Sequence, residues 1–144
     1  MTRRRIVLAA GLGCVLLPPA RATPEALQAA LQAFGGGQVP RDGRVTLDIA
    51  PLIDNGNVVP VSVAVQSAMS ADDHVRRIGI FTELNPQPDV AIFHLGPRSG
   101  RALVGTRMRL ATSQTITALA LMSDGSVWRQ RVDVIVTLAA CIES

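Results

Sequence analysis

Few side chains in this sequence are suited to covalent chemistry, and the most conspicuous is Cys141, which stands in Leu-Ala-Ala-Cys-Ile-Glu-Ser at residues 138–144. A thiolate sulfur is nucleophilic and oxidisable, so a cysteine near a chain end can hold a sulfur-containing adduct. The two histidines, His74 and His94, fall in no H-x-x-x-H or C-x-x-C spacing that could organise a metal. His94 reads as a polar residue at a strand end beside a turn, and His74, after Asp72 and Asp73, as part of a solvated turn. Two aspartates fall short of the oxygen ligands that a calcium loop places at fixed spacing. No nucleophile elbow, phosphate-binding loop or dinucleotide fingerprint occurs. No catalytic residue, metal or cofactor is therefore assigned, and the chain reads as a non-enzyme.

Arginine supplies every strongly basic side chain: there are 14 Arg and no Lys. Arg76, Arg77, Arg98, Arg101, Arg107, Arg109, Arg129 and Arg131 could grip an anion bidentately if several converged. Arg107 and Arg109, like Arg129 and Arg131, alternate with apolar neighbours, and this pattern favours a solvated outer face. The net charge of +3 is local as well. Arg3, Arg4, Arg5 and Arg21 lie in the first 22 residues beside no acid, and removing those four leaves −1. The inference from a high isoelectric point to nucleic acid then fails, and with aromatics at 3% there is no stacking platform for single strands.

Those first residues read as an address. Arg3 to Arg5, an apolar run over residues 6–17, Pro18-Pro19 and Ala20-Arg21-Ala22 follow the order of a secretory signal peptide. The run is shorter than the ~20 residues of a membrane-spanning helix, so no membrane association is expected after cleavage. Thr2 to Leu8 resembles a twin-arginine export motif, without the basic residue often found after its hydrophobic pair. Cys14 after Gly13 raises a lipoprotein alternative, but Gly11 stands where a lipid-attachment box wants an aliphatic residue. Residues 1–22 are thus expected to be a signal peptide and the mature chain, 23–144, to be periplasmic. Cys141 is its single cysteine, which excludes an internal disulfide.

The mature chain must position that cysteine. Thr23-Pro24-Glu25 predicts a helix start, with Leu27, Ala30, Leu31 and Phe34 on one face and the glycines at 35–37 as the stop. Strands are predicted over 45–49, 58–65, 76–84, 90–95, 102–110, 114–122 and 127–138, separated by turn clusters at 54–57, 85–88, 96–100 and 123–126. In the last strand Trp128, Val132, Val134, Val136 and Leu138 share one face, and Arg129, Arg131, Asp133 and Thr137 the other. Seven such strands without intervening helices predict an all-β, immunoglobulin-like β-sandwich with a short N-terminal helix and a mobile C-terminal arm. Residues 139–144, fully extended, reach about 20 Å, far enough to carry a thiol into a partner's cleft. The alternative is an incidental cysteine on a frayed terminus.

Several stretches together resemble the SoxY family of periplasmic sulfur carriers: residues 55–61 (Asn-Gly-Asn-Val-Val-Pro-Val), 80–88 (Ile-Phe-Thr-Glu-Leu-Asn-Pro-Gln-Pro), Phe93-His94-Leu95, Ser99-Gly100, 106–110 (Thr-Arg-Met-Arg-Leu) and 122–126 (Met-Ser-Asp-Gly-Ser). The resemblance implies a heterodimer with a SoxZ-like subunit and a place in thiosulfate oxidation. It also implies that Cys141 bears a covalent sulfur adduct and that sulfur-oxidising partner enzymes, haem-containing ones among them, visit the arm. The family's arm reads G-G-C-G-G. Here Ala139 and Ala140 precede the cysteine and Ile142, Glu143 and Ser144 follow it. Alanine and isoleucine are stiffer and thicker than glycine, and Glu143 places a negative charge two residues from the sulfur, where it repels an anionic adduct. The arm is thus an A-A-C-I-E variant whose cargo or partners differ from the usual ones, or a SoxY-like structural sandwich that no longer carries sulfur.

Overall fold

The computed structural model describes residues 22–141; residues 1–21 of the expected signal peptide and Ile142, Glu143 and Ser144 of the expected arm lie outside the described residues. Helix α1 spans Pro24–Gly35. Its start is built as the sequence predicts: the Thr23 side chain accepts a hydrogen bond from the Ala26 N–H at 3.1 Å, and Pro24 occupies the first turn. Gly36 ends it at φ 62°, a left-handed conformation that glycine adopts without a Cβ clash.

Nine strands follow: β1 (Arg41–Asp42), β2 (Val45–Asp48), β3 (Leu52–Ile53), β4 (Val59–Val65), β5 (Val75–Thr82), β6 (Asp89–His94), β7 (Leu103–Met108), β8 (Gln114–Met122) and β9 (Val127–Val136). All seven predicted strands are present. The additional β1 and β3 are two residues each and pair in parallel with β9, Arg41 opposite Trp128 and Leu52 opposite Ile135. No periodicity can be read from two residues, so tertiary pairing alone defines them. The larger sheet runs β1-β9-β8-β5-β6, with β3 also on β9, and the smaller runs β2-β4-β7. The two open sheets form an immunoglobulin-like sandwich.

The core lies between them. Val59, Val61, Val63 and Val65 of β4 alternate inward against Ile78, Ile80, Ile116, Ala118, Ala120 and Val134 of the larger sheet. Strand β8 does not alternate: every residue but Thr115 is buried. It is central in its sheet, and α1 lies across its outer side, closing a second cluster of Phe34, Phe81, Leu119, Leu121 and Val127. Phe34 meets Phe81 edge to face at 5.6 Å. Their approach requires Gly79, where a Cβ would come 2.6 Å from Phe81 Cε2 and 2.8 Å from Phe34 Cε2.

Three arginines are bonded to the domain: Arg77, read from the sequence as surface charge, Arg44, and Arg129, whose pair with Asp42 stays at the surface. Arg77 donates to the Phe34 carbonyl at 2.8 Å and lies 5.2 Å over the Phe34 ring, joining a cation to the helix C-terminus. Arg44, at φ 57°, donates to the Gln66 carbonyl and the Asp73 carboxylate and packs over Trp128. Arg129 donates to Asp42 at 2.8 Å, fastening β1 to β9. On β9 the alternation holds from Val132 to Val136, whereas Val127, on the Arg129 face, is buried under α1 and Gln130 is exposed; the strand ends at Val136 and Leu138 is 59% exposed instead of facing the core.

With no disulfide among the described residues, side-chain amides tie the loops. Buried Gln114 accepts from the Leu84 N–H and donates to Asn85 Oδ1 and the Thr112 carbonyl, and Asn85 bridges Arg109 and Ala111. Among the described residues no buried side-chain nitrogen or oxygen lacks a partner.

Two predictions follow from this packing. Gly79→Ala forces α1 off the sheet and lowers the free energy of unfolding by about 1–3 kcal/mol in urea titration, whereas an unchanged midpoint contradicts the packing. The hydrogen bond and charge of Arg129 hold the Asp42 carboxyl below the usual carboxylate range. A depressed folded value means that the pair's contribution is present above the unfolded carboxylate range and is lost as pH falls through the lower folded value. In Arg129→Gln the Asp42 titration, followed by NMR, moves up toward the ordinary carboxylate range; an unmoved titration contradicts the pairing.

Candidate functional site: the seat of Cys141

After β9 ends, the chain crosses the turn at residues 54–57 and is hydrogen-bonded to it step by step. Thr137 donates through its N–H to the Ile53 carbonyl at 3.0 Å and through its hydroxyl to the Asp54 carbonyl at 3.1 Å. Gly56 N–H donates to the Leu138 carbonyl at 2.7 Å, Leu110 N–H to the Gly56 carbonyl at 2.8 Å, and Ala140 N–H to the Leu110 carbonyl at 3.0 Å. Cys141 N–H then donates to Asn57 Oδ1 at 3.1 Å. Three segments distant in sequence meet on one glycine.

That glycine is required for space. A Cβ at Gly56 would stand 2.6 Å from the Leu110 oxygen, 3.0 Å from the Ala140 nitrogen and 3.1 Å from the Leu138 oxygen. All three are backbone atoms, which cannot swing aside as a side chain can. The Asn-Gly-Asn sequence also shapes the turn locally: Asn55 Oδ1 accepts both the Asn57 N–H, at 3.0 Å, and the Asn57 side-chain amide, at 2.9 Å.

The structure corrects the expected arm at its root. Residues 139–144 were predicted to form one mobile extension, but Ala140 is buried and its amide, like that of Cys141, is bonded to the domain. The small Ala140 methyl fits beneath the crossing, whereas Ala139 and Cys141 are exposed. The Cys141 thiol is free and open to solvent. The exposed apolar residues Val58 and Leu138 flank the crossing, and Leu52 and Ile135 pair at the end of β9 that leads into it.

The other candidates do not converge on Cys141. His94 is exposed at the end of β6 across from Arg77, and His74 Nδ1 lies 3.0 Å from the Ser70 carbonyl. Asp73 pairs with Arg44. Arg76, Arg98, Arg101, Arg107, Arg109 and Arg131 are exposed. No group of three or more His, Cys, Asp or Glu that could hold a metal occurs among the described residues. A hollow of about 750 Å³ over β2, β4 and β7, floored by Ser62 and Gly105 between Asp48 and Arg107, contains no thiol or imidazole. Sequence reasoning found the cysteine and missed its seat. The available signal was a glycine between two asparagines in a turn, but its crossing partners lie more than 50 residues away.

Gly56→Ala is expected to unseat residues 138–141. Carboxypeptidase, which on the native chain should stall at the seated residues, then trims past Leu138, and stability falls by about 1–3 kcal/mol; identical trimming of variant and native chains contradicts the seat.

In comparisons with known proteins, no curated sequence matches the chain. Solved structures match in fold. A superoxide reductase (neelaredoxin) from Ignicoccus hospitalis has a TM-score of 0.58 at 15% identity over 65% of this chain and 80% of that one. A putative superoxide reductase from Thermotoga maritima has a TM-score of 0.58 at 15% identity, over 67% and 93% of the two chains. A hypothetical protein from Pyrococcus horikoshii has a TM-score of 0.55 at 13% identity, over 66% and 95%. At these identities the likeness concerns the sandwich alone. The model of the sulfur oxidation protein SoxY matches residues 30–141, from the middle of α1 to the seated cysteine. The chain belongs to the SoxY family.

Proposed function

We propose that this protein is a periplasmic sulfur carrier subunit that holds a sulfur intermediate covalently on Cys141 and presents it to partner enzymes. The observation that carries the reading is the family match ending at residue 141, where the structure places an exposed free thiol on a built seat. A carrier needs an accessible nucleophile and no reaction centre of its own. Loading thiosulfate joins the cysteine sulfur to its terminal sulfur; the thiol proton is lost and two electrons leave to an oxidising, haem-containing partner. A SoxZ-like subunit completes the heterodimer. Residues 1–22 export the chain, by the twin-arginine route, and are removed.

The departures in the arm give a second reading its own support. The alanine-bearing root is fastened to the domain where the family's arm has glycines, and this favours a partner-binding sandwich in which Cys141 no longer carries thiosulfate or carries a different sulfur cargo. A growth assay of Cys141→Ala on reduced sulfur compounds separates the two, since full growth of the variant supports the second reading.

The carrier reading predicts that the purified heterodimer, incubated with thiosulfate and its cognate oxidising enzyme, gains a reductant-labile mass increment that maps to Cys141 and disappears in Cys141→Ser. No increment, or an equal one in Cys141→Ser, overturns it.

A further inference from the structure

We infer that Asn57 is the positioning residue of Cys141, and that Asn55 sets Asn57 for that task. A side-chain amide can turn either its oxygen or its NH₂ toward a neighbour, and only the oxygen satisfies a backbone N–H. Asn57 donates its Nδ2 to Asn55 Oδ1 at 2.9 Å, so its own Oδ1 faces the Cys141 N–H at 3.1 Å. Asn55 Oδ1 also accepts the Asn57 main-chain N–H at 3.0 Å, which fixes the backbone that carries the amide. Asn55 thus orients Asn57, and Asn57 holds the residue that bears the thiol.

This contact is separate from the rest of the seat. Residues 138 and 140 are held by main-chain bonds to Gly56 and Leu110 and draw nothing from a side chain. Asn57 adds one side-chain bond, to Cys141 alone. It extends the fastened segment by one residue, to the cysteine itself. The thiol is thereby kept at the end of the sandwich beside Val58 and Leu138, and a partner must bring its reaction centre to that end. The bearing of this placement on sulfur transfer rests on the carrier reading; the placement itself does not.

Amide hydrogen exchange of the full chain, resolved at Ala140 and Cys141 by NMR, tests the inference. Loss of one hydrogen bond on an exposed surface corresponds to roughly tenfold faster opening. In Asn57→Ala the Cys141 amide exchanges about tenfold faster while Ala140 keeps its native rate. Asn55→Ala gives a smaller acceleration at Cys141. Equal Cys141 exchange in Asn57→Ala and native protein overturns the inference. So does parallel acceleration of Ala140 and Cys141, because Asn57 then serves only the turn. A native protein with the predicted exchange pattern but no sulfur adduct on Cys141 fails the carrier reading alone and leaves the role of Asn57 standing.

Discussion

The architecture of the functional end depends on a backbone crossing at which no side chain can be tolerated. Gly56 donates to Leu138 and accepts from Leu110, and Leu110 accepts from Ala140, so three segments share hydrogen bonds within the space that one Cβ would fill. The crossing does more than close the sandwich. It continues the last strand beyond its formal end at Val136 and delivers the chain to Cys141 at a defined place. An exposed thiol on a loose tail samples a large volume, whereas one seated a single residue from a backbone bond samples a small one.

The same economy of fastening runs through the fold. In the absence of a disulfide among the described residues, loops are tied by the amides of Gln114 and Asn85, by Arg44 between Gln66 and Asp73, and by Arg129 on Asp42. Arg77 anchors the helix end that covers β8. Individually such contacts contribute modestly, the surface pair of Arg129 with Asp42 least.

Much of this architecture was readable before any coordinates. Strand β4 is legible because valine recurs there with a period of two, and β8 because an apolar run is bounded by turn clusters, its predicted bounds agreeing residue for residue with those observed. The helix start was recognised because Thr23 and Pro24 are chemically suited to it. Strands β1 and β3 were not readable, since each is a pairing on β9 with no period of its own. Arg77 reads as surface charge in the sequence because its partner, Phe34, is remote in the chain. Residues 139–144 read as a free arm for the same reason: the acceptors of Ala140 and Cys141 belong to loops 30 and 84 residues upstream.

Family membership and geometry thus meet at one residue, and the account stands on residues 138–141 being part of the folded domain up to the cysteine that the carrier reading uses. Hydrogen exchange at the Ala140 amide of the native protein, compared with Gly56 in the same spectrum, measures this most directly. The account predicts that both amides are protected and open together, as members of one bonded crossing. Exchange of Ala140 at the rate of an unstructured peptide, with Gly56 still protected, would contradict it.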